Sequence, residues 1–472
     1  MTQNEVQISE RYPDKDISLS DVKQLMKNVG CHSLIVKELA WNHDSKRQIY
    51  LIGSTSIFNT FPCKIENNPP MPHWMQKSQK KKMSQGQNRF YGHLDYEWIT
   101  INGDTETAKH AKIIFYPQYP EARLSGFLRG IKSIPSKYLR EKSGEVYTNR
   151  ILFLGISNTG HTIAFLTVGH GNLREELKQT EGYDTDAGLN SIPLFNENES
   201  PETRLLDQLT RIHSMGWIEG KRLSADGLKP CYTPNAVGYT LEAELGILPN
   251  GDNAPDFMGW EVKAHTVTDW NTTGNKVVTL FTPEPDCGVY QEEGIRTFIE
   301  RWGYPDRNGK PDRHNFGGIY RLNTTNDLTG LTLRIEGFNA ETQKLDANGH
   351  LGLYSPEGYL ASGWTFKKLI DCWRRKHAAT AYVPAQRNKE DKVHCFHYGN
   401  EVMLCEGADF VRVLNAVTSG ALYLDPALKA ENWSSDKPRF KKRNQFRIKM
   451  KDVPSLYNQS KVQTLQEAIS TA

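Results

Sequence analysis

Several things are scarce in this sequence, and each scarcity excludes something. Long apolar runs are missing: the longest, such as Ile151 to Ile156 and Leu245 to Leu248, fall far short of the ~20 residues a membrane span needs, so no segment is expected to cross a bilayer. Cysteine is sparse. Its seven positions (31, 63, 231, 287, 372, 395 and 405) are odd in number and scattered, with no C-x-x-C pair, which disfavours a disulfide framework and a zinc ribbon and leaves reduced thiols as the expectation. Charge of one sign is not in excess either. Lys and Arg total 58 and Asp and Glu 55, a net of +3, so the distribution of charge must carry more information than its sum. The phosphate loop G-x-x-x-x-G-K-[ST] is absent, which argues against an NTPase. No repeat is present, and the opening MTQNEVQISERYPDKD has no basic-then-apolar signal pattern, so a cytoplasmic protein is expected.

What is there fits a multidomain globular chain. The 472 residues include 10 Trp, 20 Tyr and 18 Phe, too much aromatic material for disorder and enough length for two or three cores. The segment 181–202, EGYDTDAGLNSIPLFNENESPE, is acidic and without apolar periodicity, and reads as a linker. Residues 1–180 before it carry β-branched runs (SLIVKEL, RQIYLIG, AKIIFY, ARLSGFL, NRILFLGI, HTIAFLTVG) separated by turns such as Asn158-Thr159-Gly160, which predict a β-rich barrel. A short helix capped by Ser20 would precede them, with Val22, Leu25, Met26 and Val29 on one face. After the linker, in 203–472, Ser200-Pro201 starts a helix carrying Leu205, Leu209, Ile212 and Met215. Further helices are expected over Tyr239 to Leu245, Trp364 to Arg375 and Phe410 to Thr418. Strands are expected in FMGWEVKAH, KVVTLFT, GGIYRLN and LTLRIEG. Together these suggest a central sheet flanked by helices.

The chemistry concentrates in GYTLEAELG, which holds Glu242, and in Ala254-Pro-Asp256-Phe-Met-Gly-Trp-Glu261-Val-Lys263-Ala-His265. Residues two apart on a strand share a face, so Glu261 and Lys263 project together, while Asp256 can fold back from the preceding turn. Two carboxylates beside an ammonium suit Mg²⁺ and a substrate phosphate, and the lysine can hold and help deprotonate the attacking water. That is apparatus for phosphodiester hydrolysis. A group formed by His394, Cys395, His397 and Cys405 was weighed as a zinc site, but the alternation of VHCFHYGNEVML reads as strand and hairpin. The run Lys437 to Lys451, KPRFKKRNQFRIKMK, holds eight basic residues in fifteen and no acid, a pattern for which phosphates are the natural partner. Lys77 to Arg89 holds five more and reads as a loop. Arg374-Arg375-Lys376 ends a helix, where cations complement the dipole.

From about Ser200 to Leu456 the chain resembles the MvaI/BcnI restriction endonuclease family, itself similar to the MutH mismatch-repair nickase. The resemblance runs through GYTLEAELGI, APDFMGWEVKAH, VTLFTPEP, TFIERWGYPDRNGK, LNAVTSGALYLD and NQFRIKM in that order. It implies an α/β PD-(D/E)xK restriction-endonuclease-like fold, with Asp256 and Glu261 as Mg²⁺ ligands, Lys263 acting on the water and Glu242 supporting the metal site from its helix. It implies DNA contacts at His265 and along the basic run. There the F-R-I segment points to Arg447 and then Arg443 as base readers, with Lys441 and Lys442 on phosphates. The N-terminal runs resemble the effector domain of EcoRII-type restriction enzymes, a pseudobarrel of the plant transcription-factor type that grips duplex DNA between two arms. By motif position Lys46 and Arg47 fall on the first arm and Arg123 and Arg129 on the second.

Together the two resemblances imply a type II, type IIE-like restriction endonuclease of a prokaryotic cytoplasm. It would act as a monomer on double-stranded DNA at a site of CCWGG type, with its first domain holding a further copy of the site and a cognate DNA methyltransferase as functional partner. Three other readings stay open: a modification-dependent endonuclease, a MutH-like nickase, and a non-catalytic DNA-binding protein.

Overall fold

The structure is a computed structural model that describes every residue except 1–5, 9, 41–47, 68–87, 140–144, 181–182, 186, 197–199, 234, 249–255, 391–392 and 466–472. In the first half a helix spans Leu19–Asn28. Its cap is Ser18, not the expected Ser20: the Ser18 side chain accepts from the Asp21 N–H and the Asp21 carboxylate accepts from the Ser18 N–H at 2.9 Å, a reciprocal capping box. Val22, Leu25 and Met26 on its inner face pack on a six-stranded sheet. The sheet order is Asn190–Ile192, Cys31–Leu39, Arg150–Ser157, Thr162–Thr167, Tyr96–Ile99 and Thr105–Thr107.

Every residue of Arg150–Ser157 is buried, because this central strand is covered on both faces and so reads as one apolar run. The helices Leu19–Asn28 and Gly171–Lys178 lie on one side. On the other lies a five-stranded sheet of Ile49–Tyr50, Glu121–Ser125, Lys112–Tyr116, Phe90–His93 and Lys64–Asn67, meeting it through Leu152, Leu154, Trp98, Ile113 and Phe115. The β-rich expectation for this half holds. Asn190–Ile192, placed by composition in an acidic linker, is instead an edge strand on Cys31–Leu39. Ile192 and Leu194 bury in the helix-side core and hold it there.

The second half opens with the helix Pro201–Ser214, capped by Ser200 with proline in its first turn. Leu205, Leu209 and Ile212 pack with Val237 and Leu241 of the helix Ala236–Glu244 on one face of a mixed sheet. In that sheet Glu261–Val267 runs parallel to Ala379–Glu390, which also pairs with Val393–Tyr398 and Glu401–Ala408. The opposite face carries Tyr382, whose hydroxyl lies 2.9 Å from that of Tyr457, under Trp373 and His377 of the helix Phe366–His377. A second sheet joins Val277–Phe281, Asn444–Lys449, Tyr423–Glu431 and Arg313–Gly317. The strand expected over GGIYRLN lies upstream at Arg313–Gly317; it ends where Gly318 adopts φ +128°, a conformation that favours glycine. Trp364 belongs to the strand Leu360–Thr365, because Thr365 caps the helix after it.

The two halves share one continuous core. Across their seam Thr55 Oγ1 donates to Asp409 Oδ1 at 2.7 Å, Ser54 donates to the other oxygen of that carboxylate, and Asp409 also accepts from the Val411 N–H at the start of the helix Phe410–Thr418. All seven cysteines are free thiols. Among the described residues no helix is long and apolar enough to cross a membrane.

Candidate active site and nucleic-acid interface

The strand Glu261–Val267 begins after a tight turn. Phe257 and Trp260 exchange backbone hydrogen bonds at 2.8 Å in both directions, and between them Met258 and Gly259 take φ +46° and +95°, the paired positive φ values of a type I′ turn. A side chain at 259 would also meet the ring of His32 at 3.0 Å, so the first half of the chain packs directly on this turn. The turn reverses the chain and brings Asp256 alongside the strand, where its Oδ2 accepts from the Val262 N–H at 3.0 Å. Lys263 Nζ sits 3.0 Å from Glu261 Oε1, with the Glu261 side chain 8% and that of Lys263 20% exposed.

Glu242 lies near enough for its charge to act on Asp256. Burial, then the charge of Glu261 and, more weakly, that of Glu242 push the Asp256 carboxyl up to about 6, against the opposing Val262 N–H and Lys263. Glu242 is carried by the helix Ala236–Glu244, anchored two residues earlier at Thr240, which accepts from the Lys221 N–H at 3.1 Å. Asp256, Glu261 and Lys263 are therefore brought together at the turn and the start of the strand, with Glu242 on the neighbouring helix. Among the described residues no three His, Cys, Asp or Glu are arranged to hold a metal by themselves. Asp256 and Glu261 nevertheless fit a hard cation that retains waters and substrate oxygens, as Mg²⁺ does, and a divalent charge would relieve the repulsion that raises Asp256.

His265 lies on the same strand, 7% exposed, and neither ring nitrogen has a hydrogen-bond partner among the described residues. Burial lowers its pKa to about 4, with Lys276 adding to the effect. Lys276 leads into Val277–Phe281, the neighbour of Asn444–Lys449. In that last strand Gln445 and Arg447 alternate with the buried Asn444, Phe446 and Ile448. Arg447 Nη1 donates to Asp425 Oδ2 at 2.6 Å, while its Nε has no partner. Asp425 was not singled out in the sequence; the signal was its place in LYLD, two positions after Tyr423 on a strand facing the F-R-I segment.

The basic run is less bare than its composition suggests. Lys441 lies 3.4 Å from Glu431 and Lys442 3.3 Å from Glu284, and Arg443 is exposed between the two strands of the run. In the first half Arg123 stacks over Tyr50 and Tyr116, at 4.5 and 5.2 Å from their ring centres. It donates to Gln48 at 2.9 Å and pairs with Glu121. Arg129 is exposed in the turn that follows. Lys46 and Arg47 lie outside the described residues, as does the Lys77 to Arg89 run apart from Asn88 and Arg89.

Residues 206–457, just over half of the chain, match the MvaI/BcnI restriction endonuclease family. The chain belongs to that family. Among solved structures it is similar to the restriction endonuclease MvaI bound to its cognate DNA substrate, at 20% identity over 57% of this chain and 99% of that one with a TM-score of 0.42. It is also similar to MvaI in the absence of DNA, at 19% identity over 57% and 100% with a TM-score of 0.33. No curated protein matches. The matched span contains all four members of the carboxylate and lysine cluster, as well as Asp425 and Arg447.

Proposed function

We propose that this protein is a Mg²⁺-dependent type II restriction endonuclease that hydrolyses phosphodiester bonds of double-stranded DNA at a short specific site. The observation that carries this reading is the convergence of Asp256, Glu261 and Lys263 at the turn and start of one strand, inside the segment that matches the family. A bound divalent ion supplies positive charge at the phosphoryl oxygens. The chain's own groups do the rest. Asp256 and Glu261 hold the ion, Glu242 adds negative charge behind them, and Lys263 orients the attacking water and offsets charge as it develops on the phosphate.

In this reading Arg447 donates to a guanine edge, and Asp425, already its partner, accepts from the cytosine amino group of the same or the adjacent pair. Arg443, Lys441 and Lys442 lie on phosphates and His265 contacts DNA from the catalytic strand. The N-terminal half holds a second copy of the site through Lys46, Arg47, Arg123 and Arg129, in the manner of an EcoRII-type effector pseudobarrel. Tethering two DNA modules raises each one's effective concentration at the other's site. A CCWGG-type site, a monomeric enzyme, a prokaryotic cytoplasmic setting and a cognate methyltransferase complete the proposal.

The test is to incubate the full-length protein with unmethylated phage DNA and with a methylated preparation, in Mg²⁺ or EDTA, beside Lys263→Ala, and to sequence the fragment ends. Discrete Mg²⁺-dependent fragments lost in the variant support the reading and reveal the site. Cutting confined to methylated DNA would make it a modification-dependent enzyme, and nicked circles without linear product a nickase. No cleavage of either DNA overturns catalysis and leaves a DNA-binding protein.

A further inference from the structure

Between the first helix of the second half and the helix bearing Glu242, the chain forms a two-stranded hairpin, Lys221–Ser224 against Gly227–Pro230. Its register places Arg222 directly opposite Lys229 and Leu223 opposite Leu228. Side chains facing each other across an antiparallel pair stand about 5 Å apart, and like charges in that position repel. The hairpin relieves little of this internally. Lys229 has an exposed partner in Asp226 at 2.7 Å, whereas Arg222, exposed, has no ion-pair partner among the described residues. Two cations held side by side, one of them unbalanced, form a receptor for an anion with several acceptor oxygens.

The hairpin is also fixed in place. The Lys221 N–H donates to Thr240 Oγ1 at 3.1 Å and Lys221 Nζ lies 2.5 Å from Glu244 Oε1, so it is fastened to the helix on either side of Glu242. Leu228 is 58% exposed, so the hairpin extends past the cover of that helix. Whatever Arg222 and Lys229 hold is therefore held in register with the helix that supports the carboxylate cluster.

We propose that this hairpin is a clamp for the phosphate backbone of the duplex being cut, with Arg222 and Lys229 together taking one phosphate beside the reacting strand. The inference rests on the DNA-cleavage reading and deepens it by adding a positioning contact outside the basic C-terminal run. Each phosphate contact lowers the slope of log affinity against log salt by about 0.9, a readout that a purely structural role would not move.

The experiment measures binding of the full-length protein to a short labelled duplex in EDTA, across a KCl series, for wild type, Arg222→Ala/Lys229→Ala and the charge-keeping Arg222→Lys/Lys229→Arg. The alanine pair should weaken binding several-fold at moderate salt and flatten the slope by about one, while the charge-keeping pair retains the wild-type slope. A wild-type slope and affinity in the alanine pair overturns the clamp. Urea midpoints establish that the fold is kept; should the pair unfold, Arg222→Gln alone decides, a flatter slope supporting the clamp and an unchanged one overturning it. The two readings fail separately. Wild-type protein that cuts DNA in Mg²⁺ while the hairpin variants keep its slope removes only the clamp, whereas wild-type protein that cuts nothing removes the nuclease.

Discussion

Two charged regions of the nuclease half balance their charge in opposite ways. At the start of Glu261–Val267 like charges are forced together: Glu261 and Glu242 add to burial in pushing Asp256 up to about 6, with Lys263 as the nearby cation. Along Lys437 to Lys451, where the sequence shows only cations, the fold brings in acids from distant segments: Glu431 against Lys441, Glu284 against Lys442 and Asp425 against Arg447. Charge density in a sequence is therefore a poor guide to charge that is available.

If that contrast is right, removing the one cation of the acidic cluster should have the largest effect on chemistry. Lys263→Ala should lower the single-turnover cleavage rate by about 10²–10⁴ with a folded-state circular dichroism spectrum like wild type. Retained cleavage would show that the water is activated elsewhere.

The acidic cluster should also cost stability in a predictable pH window. A carboxyl whose folded pKa lies near 6, above its ordinary 3.8, favours the native state while protonated; the contribution is fully present below pH ~4 and is lost as pH rises through ~6. Because Asp256 is partly exposed, the loss is set at roughly 2 kcal/mol. In EDTA the wild-type urea midpoint should fall across that window relative to that of Asp256→Asn, which carries the same opposing contribution from buried His265, and Mg²⁺ should restore part of that relative loss through binding to the native state. Equal pH profiles for the two proteins would mean that Asp256 stands in water.

How much of this was legible beforehand divides along the same line. Asp256, Glu261 and Lys263 were readable because a short local pattern places them: the strand period sets Glu261 beside Lys263, and the turn at Met258 and Gly259 needs only adjacent residues. The helix Phe410–Thr418 was likewise readable from its own apolar spacing. Asp425 was not, because its pairing with Arg447 joins residues 22 apart in sequence through a register that only the folded sheet fixes. Nor was the strand Asn190–Ile192, since its acidic surroundings hide Ile192 and Leu194 until a core is there to receive them. The pseudobarrel's arms rest on resemblance alone, and Lys46 and Arg47 fall outside the described residues.

On the basic side Arg447 should matter more than its neighbours. Its Nε is unpartnered and its Nη1 is aligned by Asp425, so the guanidinium is oriented before DNA arrives. Arg447→Ala should reduce discrimination between cognate and altered sites by about 1–3 kcal/mol, and Arg447→Lys should not rescue it, because a point charge cannot reproduce the planar fork. Competition binding with single base-pair substitutions measures this; a uniform loss over all sites would reassign Arg447 to a phosphate.

Lys441 supplies the smallest expected effect and the sharpest control. It is half exposed and shares Glu431 with Lys310, at 3.4 and 3.2 Å, so two cations already serve one carboxylate and removing one leaves the acid paired. Stability of Lys441→Ala should lie within about 0.5 kcal/mol of wild type, with the binding salt slope flattened by about one, as loss of a single phosphate contact requires. That loss means that Lys441 leaves Glu431 to Lys310 when DNA binds, so that the basic run acts by exchanging an internal acid for phosphate, whereas an unchanged slope would mean that Lys441 stays with Glu431 and takes no phosphate.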